Sequence, residues 1–121
     1  MNYDRFHDGF RDGLLIQDAT VRVFLSTDCK QEFVLDVRGV LSLKADGFRQ
    51  GNIIFDVLIR DGDDITIHDI SNFFEFKEEI KALEKLEEAR CKNLVVLEIN
   101  PSYGANCAIL AESVELLPRL K

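Results

Sequence analysis

The side chains best suited to acid–base or metal chemistry are two histidines, each followed by an aspartate, in His7-Asp8 and His68-Asp69. Histidine titrates near neutral pH and ligates metals through its imidazole, and carboxylates are a second common class of metal ligand. Helical metal-dependent phosphohydrolases use such pairs, but they need further histidines and many helices, which this sequence does not offer. His68, Asp69, His7 and Asp8 are therefore the candidate catalytic residues, and a divalent-metal site would require both pairs to meet.

Other chemistry-bearing motifs do not occur in the sequence. No serine lies in a G-x-S-x-G setting, and Gly47 and Gly51 lack the G-x-G-x-x-G spacing of dinucleotide sites. The acidic run Asp61–Asp64 passes at once into apolar residues, which predicts a turn rather than a calcium loop. The sequence thus predicts no cofactor and no bound metal, and it favours a protein without enzymatic activity.

Composition and charge narrow the classes of partner. The chain has 121 residues, 46% of them hydrophobic and 31% charged, which is typical of one soluble globular domain. Its net charge of −7 disfavours nucleic acid and anionic membrane surfaces, and suits a basic protein partner. No apolar run approaches the ~20 residues of a membrane span. The three cysteines show no C-x-x-C spacing, so we expect a cytoplasmic protein with reduced thiols.

Short alternating segments separated by turn residues make up most of the chain, and they predict strands. A charged, amphipathic helix is predicted between Phe73 and Arg90, capped by Ser71 or Asn72. Its predicted apolar stripe consists of Phe76, Ile80, Leu83 and Leu86 or Ala89. The predicted strands are Gly13–Gln17, Thr20–Ser26, Glu32–Arg38, Val40–Ala45, Asn52–Arg60, Ile65–Ile70, Leu94–Asn100 and Asn106–Leu116.

These elements predict an α+β fold that is predominantly antiparallel β. We expect about eight strands in a curved sheet or open barrel, with one amphipathic helix before the last two strands. We expect residues 1–121 to form a single domain, of which residues 1–12 are an N-terminal arm. The arm would carry His7, whereas His68 would lie in a strand, on the face opposite Asp69. The spacing does not require the two pairs to meet.

The opening FHDGFRDGLLI and the alternating segments VRVFLS and EFVLDVRGVLSL resemble several small, uncharacterised bacterial β-rich families. Their chains begin with a short His-Asp segment and continue as a meander, and some members resemble immunity proteins that neutralise toxins. The resemblance covers roughly the first half of the chain. It implies a β-rich fold and a role in protein interaction, and it assigns no catalytic residue.

Two functional interpretations follow. The first is a non-enzymatic interaction or accessory domain of immunity-like type, whose acidic surface meets a basic partner while a small apolar patch supplies affinity. The alternative is a ligand-binding or weakly enzymatic barrel with His68 and Asp69 at the mouth of a pocket, in which Phe73, Phe74 and Phe76 line a concavity between helix and sheet. Either interpretation is compatible with a monomer or with a homodimer paired through edge strands.

Overall fold

The structure, a computed structural model, describes residues 6–45, 52–74, 78–103 and 107–119. The first five residues of the expected N-terminal arm, the expected loop Asp46–Gly51 and Phe76 of the expected helical stripe lie outside the described residues.

The fold is α+β and mostly antiparallel β, as the sequence predicts. Two helices, α1 (Ile67–Phe73) and α2 (Glu79–Cys91), follow the fifth strand, with a 3-10 turn at Gly62–Asp64 before them. The strands are β1 (Phe10–Gln17), β2 (Thr20–Ser26), β3 (Glu32–Arg38), β4 (Ser42–Ala45), β5 (Asn52–Asp61), β6 (Val95–Tyr103), β7 (Cys107–Ala111) and β8 (Ser113–Pro118). The predicted last strand is thus divided at Glu112 into β7 and β8.

All eight strands belong to one sheet in the order β4-β7-β6-β5-β1-β2-β3-β8. The chain bends between β3 and β4, at residues 39–41, and between β7 and β8, at Glu112. At the bends the Glu112 amide donates to the carbonyl oxygens of Arg38 and Gly39, both at 3.1 Å. Because β3 pairs with β8 and β4 with β7, the sheet curves strongly, with β4 and β8 as the terminal strands of its order. This strong curvature creates an enclosed interior and a separate outer face.

The interior holds the larger hydrophobic cluster, and strand alternation explains its members. Val21, Val23 and Leu25 of β2 are buried, as are Leu35 and Val37 of β3. Side chains one residue away point to the outer face because the side-chain period of a strand is two. Partners from the other strands are Phe6, Ile54, Val57, Leu97, Ile99, Cys107, Ile109 and Ala111.

A second cluster lies on the outer face of β6 and β7, where Val96 and Leu110 are opposite each other. The helix pair covers these two side chains with Ile70 of α1 and with Leu86 and Ala89 of α2. The helix pair therefore covers one face of the sheet at β6 and β7. Within the described ranges, no helix is long and apolar enough to cross a membrane.

The prediction of a strand at Ile65–Ile70 is wrong, because residues from Ile67 onward form α1. Thr66 is the N-cap: its hydroxyl accepts from the Asp69 amide at 3.2 Å, and the Asp69 carboxylate accepts from the Thr66 amide at 3.0 Å. This reciprocal capping box satisfies two backbone donors at the start of the helix. Ser71, one of the two expected caps, lies inside α1 instead.

Two further expectations about element ends need correction. The strand predicted to end at Asn100 is longer, since β6 continues through Pro101 to Tyr103. The register of β5 against β6 shifts on both sides of Ile54, the residue paired with Pro101. Such irregularities accommodate a proline, which cannot donate to the strand ladder. The first strand begins at Phe10 rather than at Gly13, so the end of the expected arm is part of the sheet.

Candidate functional site

The two His-Asp pairs lie at different ends of β5. The Asp8 amide donates to the carbonyl oxygen of Ile54 at 2.9 Å, whereas Asp69 contacts Arg60 near the other end of the same strand. Six residues of extended chain span roughly 20 Å, so the structure does not bring the pairs together. The described residues contain no group of three or more His, Cys, Asp and Glu side chains that could hold a metal ion.

The first pair belongs to a tight turn that begins at Phe6. Phe6 is fully buried and meets the ring of Phe33 edge-to-face, with centroids 5.5 Å apart. The side chains of His7 and Asp8 are exposed, and His7 Nε2 lies 3.7 Å from Asp8 Oδ2. Asp8 has a positive φ of 63°. The Gly9 amide then closes the turn by donating to the carbonyl oxygen of Phe6 at 2.8 Å. This FHDG segment therefore anchors the start of β1, and its polar pair marks the exposed corner of the turn.

The two side chains of the second pair, His68 and Asp69, lie in different environments. His68 is exposed, while Asp69 is buried and accepts two hydrogen bonds from Arg60, from Nε at 3.1 Å and from Nη2 at 2.6 Å. Arg60 also pairs with Glu98 through Nη1 at 2.7 Å. Burial raises the pKa of Asp69, but the hydrogen bonds from Arg60 and Thr66 outweigh it and hold the pKa below its ordinary value.

Asp69 is consequently a structural residue that joins α1 to the sheet. Both of its oxygens already accept hydrogen bonds, from Arg60 and from the Thr66 amide. An ionised carboxylate in this position is held in its charged form and is poorly suited to take a proton near neutral pH. Catalysis by His68 and Asp69 stays a prediction that no contact among the described residues supports.

Two grooves on the surface contain arginines whose charges are already engaged. Near the β1–β2 turn, a groove of about 200 Å³ includes Arg22 and Arg38, which lie 3.6 and 2.9 Å from the buried carboxylate of Asp36. A groove of about 380 Å³ at the other end of this hairpin includes Arg119, which pairs with Asp12 at 3.1 Å. In both grooves the arginines form ion pairs with aspartates of the same or a nearby element, and these pairs compensate much of the arginines' positive charge.

A third groove, of about 370 Å³, lies between β4 and the end of α1. Phe73 and Phe74 are half-buried and line it, together with Ser42, Leu43 and Lys44. The sequence predicts a concavity between helix and sheet lined by these two phenylalanines, and the groove occupies that position. Neither His68 nor Asp69 is among its lining residues.

The outward side of α2 combines exposed apolar and acidic side chains. Ile80 is 61% exposed and Leu83 is 49% exposed, one helical turn apart. Glu79, Glu84 and Glu87 are exposed around them, and none of the three forms an ion pair within the described ranges. We call these five residues the acidic α2 face. It presents an apolar centre with an acidic rim, the composition of a small protein-binding surface.

The expected apolar stripe of this helix is wrong at Ile80 and Leu83. The buried side is formed by Ala82, Leu86 and Ala89, which recur at helical spacing and pack on the sheet. Two stripes compete in the sequence of α2, and the one that contains Ala82 and Ala89 is buried. The helical spacing of Ala82, Leu86 and Ala89 is the feature of the sequence that indicates a second buried side and therefore an exposed position for Ile80 and Leu83.

The cysteines provide a direct check on burial. Cys29 and Cys91 are exposed, whereas Cys107 is fully buried, and burial raises its pKa to about 11 although the neighbouring Arg11 opposes this. We expect a chromogenic disulfide reagent at pH 8 to modify two thiols in the native protein and the third only in denaturant, because the thiolate is the reactive form. A Cys29→Ser/Cys91→Ser variant should lose the fast reaction, and rapid native labelling of three thiols would contradict the placement of Cys107.

Comparison with known proteins adds no relative to this description. No protein-family model matches the sequence, and no curated protein and no solved structure matches it significantly.

Proposed function

We propose that the protein is a non-enzymatic interaction domain whose acidic α2 face binds a basic protein. The observation that carries the proposal is the exposed pair Ile80 and Leu83 within a rim of three exposed glutamates. One specific form, suggested by the resemblance of the N-terminal half, is an immunity-like protein that neutralises a basic partner. The three free cysteines suit a reducing compartment, which supports a cytoplasmic location for this function.

Charge and apolar area would contribute to binding in different ways. The net charge of −7 and the rim of Glu79, Glu84 and Glu87 attract a basic partner and accelerate encounter, an effect that salt screens. Burial of Ile80 and Leu83 would release ordered water and slow dissociation, because apolar anchors near the centre of an interface carry most of its affinity. Lys85 of α2 and Lys92 just after it both pair with Glu88 and add little positive charge near the rim, whereas Lys81 is exposed and forms no ion pair within the described ranges.

The proposal is tested first by recovering binding proteins from a host lysate at low and high salt, then by kinetics with the purified partner. A Glu79→Gln/Glu84→Gln/Glu87→Gln variant should associate about tenfold more slowly at low salt, with a flatter salt dependence. An Ile80→Ser/Leu83→Ser variant should dissociate roughly 30-fold faster at an unchanged association rate.

Matched controls separate the face from the rest of the surface. Leu41→Ser removes an exposed leucine far from α2 in sequence, and Glu115→Gln removes an exposed carboxylate of β8. Both control variants should bind like the unmodified protein. Equal losses in the control and α2 variants, or an association rate indifferent to salt and to the three glutamates, would refute this proposal.

A further inference from the structure

Two arginines project into the groove near the β1–β2 turn, on a part of the sheet that the helices do not cover. Arg22 alternates with the buried side chains of β2, and Arg38 follows the buried end of β3, so both lie on the outer face. The register places Arg22 directly opposite Asp36, and Arg38 lies two residues from Asp36 on the same face of β3. The helices cover the outer face at β6 and β7 instead.

Asp36 engages both arginines through their Nε atoms and leaves their Nη groups to the groove. The side chain of Asp36 is 5% exposed; its Oδ2 accepts a hydrogen bond from Arg38 Nε at 2.9 Å, and its Oδ1 lies 3.6 Å from Arg22 Nε. Within the four described ranges, Asp36 is the only ion-pair partner of either arginine, and neither donates a hydrogen bond elsewhere. One buried carboxylate therefore holds two guanidinium groups side by side and neutralises one of their two charges.

The other lining residues are small or polar, apart from one leucine and one aspartate. Leu15 is the strand partner of Arg22 and is half-exposed, and Gln17 and Thr20 form the next pair towards the turn. Asp18 is the single acidic residue of the lining; it is exposed and forms no ion pair in the described part of the chain. The groove thus combines guanidinium donors with one apolar contact, in about 200 Å³.

We propose that this groove binds the phosphate monoester group of a small organic molecule between Arg22 and Arg38. Guanidinium groups bind phosphate oxygens in bidentate geometry, and the three terminal oxygens of a monoester suffice for both arginines. A carboxylate has two oxygens, which a single arginine already satisfies. The size of the groove and the net charge of −7 disfavour a nucleic acid as the source of the phosphate.

Leu15 and Asp18 would select among phosphate monoesters. The exposed part of Leu15 would contact the organic group of the ligand, which inorganic phosphate lacks. Asp18 would repel a second negative group, so the preferred ligand carries its charge on the phosphate alone. The site is separate from the acidic α2 face, and it does not depend on the function proposed for that face.

A titration of the full-length protein with phenyl phosphate, followed by ¹H–¹⁵N NMR at low ionic strength, tests the proposal. We expect a dissociation constant of roughly 0.1–2 mM for a ligand of this size, with the largest shifts at Leu15, Gln17 and Thr20. Inorganic phosphate should bind about fivefold more weakly because it has no apolar group, and benzoate about tenfold more weakly because it has two oxygens.

Isosteric variants assign the charges of the site. Arg22→Gln and Arg38→Gln should each weaken phenyl phosphate binding about fivefold, whereas Asp18→Asn should strengthen it about twofold by removing a negative charge from the lining. Asp18 has a positive φ of 54°, which asparagine adopts readily, so this variant keeps the turn. Lys81→Gln and Glu84→Gln make the same changes of charge on α2 and should bind like the unmodified protein.

Several results would overturn the proposal. These are an absence of shifts at about 10 mM phenyl phosphate, shifts that cluster outside the groove, and inorganic phosphate or benzoate binding as tightly as the ester. Equal effects of the groove and α2 variants would overturn it as well, by reducing the effect to net charge. Because Asp18→Asn is expected to gain affinity, a general loss of stability does not reproduce the expected pattern.

Discussion

An Asp69→Asn variant is expected to unfold with a free energy about 2–3 kcal/mol lower than that of the unmodified protein at pH 7. The substitution keeps the shape of the side chain but removes its charge, and hydrogen bonds to charged groups contribute about 1.5–3 kcal/mol. Arg60 would lose its bidentate partner and keep only Glu98. Urea denaturation followed by circular dichroism measures the difference.

The pH dependence of this difference identifies the carboxylate as its source. The pKa of Asp69 is lower in the folded state than its ordinary value of about 3.9, so ionised Asp69 stabilises the fold. That contribution is complete above the unfolded pKa and is lost as pH falls through the lower, folded pKa. The stabilities of the two proteins should therefore differ most above about pH 5 and converge as pH approaches 2.

Asp63→Asn provides the matched control, since Asp63 lies in the neighbouring 3-10 turn, is exposed and has no ion-pair partner in the described part of the chain. We expect it to change the free energy of unfolding by less than about 0.5 kcal/mol. A loss at Asp69 no larger than at Asp63, or one independent of pH between 2 and 7, would contradict the role assigned to the Arg60–Asp69 pair.

The curved sheet could be predicted because each strand shows an alternating pattern within its own sequence. Val21, Val23 and Leu25 are buried and alternate with the exposed Arg22 and the half-buried Phe24, and a one-residue slip would turn all three out of the core. Turn residues then separate each strand from the next. A pattern with a period of two, repeated along the chain, specifies strand faces without knowledge of the tertiary contacts.

The helical region could be predicted less completely, because its signals are short or duplicated. Ile65–Ile70 spans only six residues, over which alternation does not separate a strand from a helical turn, and the decision comes from the Thr66–Asp69 capping box. In α2, two apolar stripes exist, and which one is buried depends on the surface offered by α1 and β6. Contacts with residues that are distant in sequence therefore determine which stripe of α2 is buried.

The same contacts determine what α2 presents to solvent. Arg60 fixes Asp69 of α1 to β5, and Ile70 then packs with Leu86 and Ala89 on the sheet. With this side of α2 occupied, Ile80 must face outward. Loss of the Arg60–Asp69 pair should thus loosen α1 and affect the proposed binding face only indirectly, through the packing of α2.

The FHDG turn contains a glycine, Gly9, whose substitution by alanine is expected to destabilise the fold. A Gly9→Ala variant is expected to lose about 3 kcal/mol of unfolding free energy, the upper part of the range for overpacking. An added Cβ would overlap the carbonyl oxygen of Ser26 and lie 2.9 Å from that of Phe6. Both are backbone atoms, so relief requires the turn to move away from β2 and strains the hydrogen bond from the Ile54 amide to the Gly9 oxygen.

Gly13→Ala is the control for a second glycine of the same segment, because its added Cβ would meet only a side-chain carbon of Phe24 at an ordinary 3.6 Å. That variant should differ from the unmodified protein by less than about 1 kcal/mol, and thermal and urea unfolding would compare the two substitutions directly. Equal stability of both variants would show that Gly9 has space beside it. A large, selective loss at Gly9 would instead identify close backbone packing as the reason that glycine follows the first His-Asp pair, with no chemistry required of His7 or Asp8.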